Sequence, residues 1–193
     1  MFNMPLLKFF SSRKPDLSEP ALGIYRAAVA AARAQAFYVH HGVPDTPDGR
    51  FDMVALHVFL ALRRLQREQG PNRKDAETLA QALTDLMFAD MDRNLREMGV
   101  GDLGVGRQVK ALAAAFRGRV TAYDAALERA DGEAELVLAL KRNIFRLDGG
   151  ITEGHTRRIA RYVRDADAAL AGQSWRAIVA GTIVFPPPPD TPD

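Results

Sequence analysis

Asp85-Leu-Met-Phe-Ala-Asp-Met-Asp-Arg-Asn-Leu-Arg-Glu-Met-Gly-Val-Gly-Asp-Leu-Gly-Val-Gly106 decides the fold: an amphipathic helix runs into a glycine-rich turn and stops. With Leu83 at zero and 100° per residue, the apolar residues Leu79, Leu83, Leu86, Met87, Met91, Leu95 and Met98 occupy an arc of about 180°. Asp90, Asn94 and Glu97 enter that arc at about −20°, +20° and −40°. Gly99 is placed to end the helix as a C′ glycine. The turn that follows holds Gly99, Gly101, Gly104 and Gly106. A phosphate-cradling loop needs a preceding strand and a following Lys-Ser or Lys-Thr, and this turn has neither. The glycines instead let two helices reverse sharply, with Asp102 or the loop amides capping the second.

Outward from this turn the pattern is helical nearly throughout. The spacing predicts helices over about 19–40, 51–69, 74–98, 105–129, 132–146 and 152–172, with a last turn around 174–180. Val43-Pro-Asp-Thr-Pro-Asp-Gly-Arg50 separates the first two, and Gly70-Pro71 ends the second. Helix two is apolar almost all round, which marks it as central. The fourth carries the cleanest stripe: Val105, Val109, Leu112, Phe116, Val120, Tyr123 and Leu127. Thr152 is the expected N-cap of the sixth. Ile183 to Phe185 is expected to be extended. The fold class is an all-α, single-domain bundle of about six to seven helices spanning residues 19–182, flanked by an arm (1–18) and a Pro-rich tail (183–193).

The acids on the apolar face of helix three need partners, because a buried unpaired carboxylate is unfavourable by several kcal/mol. Helices two and three are joined by a short linker and should pack antiparallel. His57 and Arg64 project from one side of helix two, so the expected cluster is His57 or Arg64 with Asp90, extended by Asn94. Two readings compete: an ion pair that fixes helix register, and a polar spot in a groove that binds a partner helix. Met87, Met91 and Met98 on the same face suit an adaptable recognition surface.

Composition narrows the function classes. The 193 residues contain 26 basic and 24 acidic side chains, interleaved rather than blocked, which gives no basis for specific nucleic-acid binding. Zero cysteines exclude disulfides and thiolate chemistry. No apolar run approaches the ~20 residues of a membrane span. The histidines His40, His41, His57 and His155 lack the spacing of zinc or di-iron sites, and no nucleophile elbow is present, so neither catalytic residues, a metal nor a cofactor is expected. His40 and His41 are expected to interact with the dipole of helix one. The arm has no secretory h-region. Its Leu6, Leu7, Phe9 and Phe10, beside Lys8, Arg13 and Lys14, would suit an anionic membrane surface or pack on the domain. Pro186–Pro189 make an extended tail.

Three blocks resemble the ubiquinol–cytochrome c chaperone family: Tyr25 to Tyr38 leading to Gly42-Val-Pro-Asp-Thr-Pro-Asp-Gly-Arg-Phe-Asp52; Leu56-His-Val-Phe-Leu-Ala-Leu-Arg-Arg-Leu65; and Met87 to Asp102 followed by Val105-Gly-Arg-Gln-Val-Lys110. The third is the most distinctive. The resemblance, which covers roughly residues 20–145, implies a non-enzymatic assembly factor of the cytochrome bc complex that binds newly made cytochrome b. It also implies contact with the ribosome or a small partner protein. Without an Arg- and Ser-rich presequence the chain looks like a compact bacterial member, cytoplasmic and peripheral to the inner face of the membrane. The residues expected to shape or frame the client surface are Phe51, His57, Arg64, Asp90, Met91, Asn94, Met98 and Asp102. Two rival readings are a small-molecule or haem-binding protein using His57, and a general protein-interaction adaptor.

Overall fold

The computed structural model describes residues 17–146 and 153–189. The arm residues Leu6, Leu7, Phe9 and Phe10, and the Thr152 cap, lie outside the described residues. Eight α-helices follow in order: α1 Ser18–Ala32, α2 Gln35–Val39, α3 Pro47–Gln66, α4 Arg73–Glu97, α5 Asp102–Glu128, α6 Glu133–Asn143, α7 Glu153–Ala171 and α8 Trp175–Val179. A 3-10 turn over Gly70–Asn72 links α3 to α4. No strand occurs among the described residues.

The caps explain most boundaries. Thr46 is extended and its hydroxyl accepts from the Gly49 amide, while Pro47 occupies the first turn with its φ already suited to helix. The second helix therefore starts at Pro47, inside the segment expected to be a turn. At the end of α4, Gly99 takes φ +84°, its amide donates to Arg96 O, and the Val100 amide donates to Leu95 O. That pairing is a Schellman motif, as the C′ glycine implied. Asp102 does not cap α5: Gly101 is the N-cap, and the Asp102 carboxylate pairs with Arg96 across the turn.

The first expected helix is two helices. Ala34 is extended (φ −58°, ψ 121°) although neither proline nor glycine is present there. Tertiary packing overrides propensity: the break turns Phe37 fully into the core, where its ring stands edge-on to Tyr162 at 5.0 Å. Tyr38 donates from its hydroxyl to the Ala32 carbonyl that the break leaves free.

Helix α3 lies at the centre, packed against α1, α4, α5 and α7. Every residue from Ala55 to Leu65 is buried. The central position forces its polar side chains to find partners on the surrounding helices. Arg63, 5% exposed, meets Asp124 and Glu128 (2.8 Å) of α5 and Asp167 (3.1 Å) of α7. Arg67 reaches the same Asp167 at 2.7 Å. At one side α1 lies so close to the turn after α8 that a Cβ on Gly23 would meet Gly181 O at 2.5 Å.

Ile183 to Phe185 is extended, as expected, and is held by a side chain rather than a strand. Gln173 donates to Val184 O (2.6 Å) and accepts from the Val184 amide (3.0 Å). His41 is fully buried and its Nε2–H donates to Pro189 O at 3.0 Å, so it grips the C-terminal segment instead of serving a helix dipole. Truncating Arg63 would leave the largely buried Asp124 without its cation and Asp167 with Arg67 alone. Arg63→Ala should therefore lower stability by about 3–5 kcal/mol in urea denaturation, whereas Arg73→Ala, in an exposed pair, should change it by under about 0.5 kcal/mol.

Candidate functional site

A groove of about 910 Å³ opens between the α4–α5 hairpin and the start of α3. On α4 it is lined by Asp90, Met91, Asn94, Leu95, Glu97 and Met98. Helix α5 adds Gln108, Ala111, Leu112, Ala115 and Arg119. Tyr25, Val29 and Arg33 come from α1, and the segment around Asp45 to Val54, including Phe51, completes it with Arg146. Helix lengths account for the opening. Antiparallel helices joined by a short turn are flush at that turn, so α4, with 25 residues against 20 for α3, runs about 7.5 Å past the α3 N-terminus.

Five of the eight expected residues line this groove: Phe51, Asp90, Met91, Asn94 and Met98. Their environments differ. Met87 is wholly core and Met91 is 7% exposed, while Met98 is 59% exposed at the lip. The methionine stripe is thus core at one end and free surface at the other. His57, Arg64 and Asp102 do not line the groove.

The expected pairing of Asp90 with His57 or Arg64 is not formed. Asp90 Oδ2 accepts from the Tyr25 hydroxyl (2.8 Å) and from Asn94 Nδ2 (3.3 Å). The partner is a phenol from α1, because α1 packs along α4 on the face where Asp90 projects. Burial and the neighbouring Asp90 carboxylate both push the Tyr25 hydroxyl up, so it stays a donor. Arg64 serves the other end of the bundle, bonding Glu68 (3.0 Å) and the Gln173 carbonyl (2.8 Å).

His57 is fully buried, with edge-on rings at 5.8 Å (Phe37) and 5.2 Å (Phe185). Nδ1 lies 2.8 Å from Met53 O, which can only accept, so Nδ1 carries the proton. Nε2 is then the acceptor for the Tyr162 hydroxyl at 2.8 Å. Burial lowers the imidazole pKa to about 4 and keeps it neutral. Both ring nitrogens are engaged, so His57 is neither a client contact nor an available haem ligand, which removes the basis of the haem reading.

The residue that shapes the inner groove is one the sequence reading passed over. Asp52 has a fully buried carboxylate that accepts from Arg119 (2.6 Å) and Arg146 (3.2 Å). Burial outweighs both guanidiniums and raises its pKa to about 6. The pair sets Arg119 over the Phe51 ring, 5.6 Å from its centroid. The available signal was the all-round burial of helix two: a polar residue there has to be paired, and Asp52 is the first of them.

Two measurements check this assignment. Met91→Asp should lower stability by about 3 kcal/mol or more, while Met98→Asp, on exposed surface, should stay within about 0.5 kcal/mol of wild type. His57 has a folded pKa below its unfolded value near 6.5, so its contribution is present above that pH and is lost as pH falls towards 4. Relative to His57→Gln, the wild-type chain should therefore lose roughly 3 kcal/mol between pH 7 and pH 4 in urea titrations.

Comparison with known proteins agrees with this architecture. The chain is 24% identical over 163 residues to the ubiquinol-cytochrome c reductase complex assembly factor 1 of Drosophila melanogaster, a match covering 84% of this chain and 62% of that protein. It therefore spans less than two thirds of that relative. A crystal structure of the Cbp3 homolog from Brucella abortus superposes with a TM-score of 0.75 at 40% identity, covering 87% of this chain and 90% of that one. Residues 39–185 match the family described as Ubiquinol-cytochrome C chaperone, and this span contains α3 to α8 and most of the groove. The chain belongs to the ubiquinol–cytochrome c chaperone family.

Proposed function

We propose that this protein is a non-catalytic assembly chaperone of the ubiquinol–cytochrome c reductase complex that takes up newly made cytochrome b by seating an apolar helix in the groove. The observation that carries the reading is the overlap of the family-matched span with the groove. The groove has the length of a short helical segment. From Gln108 to Arg119, α5 presents about 16 Å, or three helical turns. Its lining sets aliphatic, methionine and aromatic side chains beside polar and charged ones in about equal number, a surface suited to an amphipathic helix. Methionine at the lip adapts to different side chains at little energetic penalty.

No described helix is long and apolar enough to cross a membrane. The chaperone would meet its client at the cytoplasmic side as a peripheral protein, with Leu6, Leu7, Phe9 and Phe10 of the arm resting on lipid. Contact with the ribosome or a small partner protein belongs to the same reading. Ala111 lines the groove and is exposed, so Ala111→Trp fills the site without disturbing the core. Deleting the gene should deplete the assembled complex on native gels. Wild-type protein should restore it, and Ala111→Trp, at equal abundance, should not. Normal amounts of assembled complex in the deletion strain would overturn the proposal.

A further inference from the structure

The charges that line the groove are unevenly satisfied, and the imbalance identifies the kind of helix that fits. Three of its four arginines are paired: Arg50 with Asp45, Arg119 with Asp52, and Arg146 with Asp48 and Asp52. On α4 the situation is reversed. Asp90 and Glu97 lie seven residues apart on one helix face, and neither has a cation within ion-pair distance among the described residues. Both hydrogen bonds to Asp90 arrive at Oδ2. Against these two acids only Arg33, among the described lining residues, lacks a carboxylate partner.

We propose that the groove recognises the basic end of an apolar helix, one carrying Lys or Arg along its flank, rather than a uniformly apolar segment. This inference rests on the groove as the client site. Seven residues along α4 span about 10.5 Å, so cations two turns apart on a docked helix come level with Asp90 and Glu97 together. Charge-assisted hydrogen bonds form readily there, since Asp90 is already half-buried and held in place by Tyr25. An acidic flank would instead set like charges side by side. Membrane proteins supply this chemistry, because Lys and Arg concentrate in the loops that flank their apolar spans on the cytoplasmic side. The groove would then hold the end of a transmembrane segment that emerges at the cytoplasmic side.

The test uses the full chain and two dye-labelled leucine–alanine helical peptides, one with lysines seven residues apart and its twin with glutamines there. In fluorescence anisotropy at low salt the lysine peptide should bind roughly tenfold tighter, the expectation for two half-exposed ion pairs. Asp90→Asn keeps an acceptor for Tyr25, and Glu97→Gln alters an exposed side chain, so both variants retain the fold. Each should reduce the preference to about threefold, and the double variant should abolish it. Ala111→Trp should weaken both peptides equally. Equal binding of the two peptides, still blocked by Ala111→Trp, would overturn the charge inference and leave the groove reading standing. Failure of both peptides to bind, or binding indifferent to Ala111→Trp, would overturn both.

Discussion

The burial of α3 on all sides is the constraint from which the rest of the molecule follows. A helix enclosed by α1, α4, α5 and α7 has no water to satisfy its polar groups, so each must be matched by a neighbour. Asp52 takes Arg119 from α5, and His57 takes the Tyr162 hydroxyl from α7. Arg63 takes acids from both α5 and α7, and Arg64 takes the carbonyl of Gln173 beyond α7. Apolar packing brings the helices together, but many rotations of an alanine-rich helix bury similar area. These four contacts select one rotation and register for α5 and α7, because a slip would strand a charge or donor in the core. They also separate buried polar groups that hold the fold from those available to a partner.

The groove is a consequence of this arrangement. The hairpin of α4 and α5 is tied to α3 along its length and then outruns it, so the face that would have continued the core is left uncovered. Along that face the methionine stripe passes from core at Met87 to surface at Met98. The overhang carries Asn94 and Glu97, which would be intolerable if α3 extended to cover them, while Asp90 just before it is met by Tyr25 of α1. The deeper end is set by the buried Asp52, which fixes Arg119 over Phe51 and leaves the aromatic ring as part of the lining. The Schellman closure at Gly99 keeps the two helices of the hairpin together at its tip.

Periodicity made much of this legible. The all-α class, the central place of α3, the glycine stop after α4 and the intrusion of polar residues into its apolar face all follow from local spacing. What spacing does not carry is the identity of long-range neighbours. A helical wheel showed that Asp90 faces inward but not that Tyr25, 65 residues away, would meet it. The adjacent helix offered His57 and Arg64 as plausible partners, yet their own burial committed them elsewhere. The break at Arg33–Ala34 left no proline or glycine to betray it, because burial of Phe37 drives it rather than local preference. Asp52 was missed for a related reason: its role depends on Arg119 and Arg146, which only the folded chain brings beside it.

The central claim is that the uncovered face of the hairpin, rather than the remaining surface, receives cytochrome b. Site-specific photo-crosslinking in translating cells tests it most directly, with the photoreactive residue placed in turn at Met98, Ala111 and Leu138. The first two line the groove, and the third is an exposed apolar residue of α6 outside it. The account requires adducts with newly made cytochrome b from positions 98 and 111 and none above background from 138. Adducts from 138 alone, or equally from all three, would contradict it.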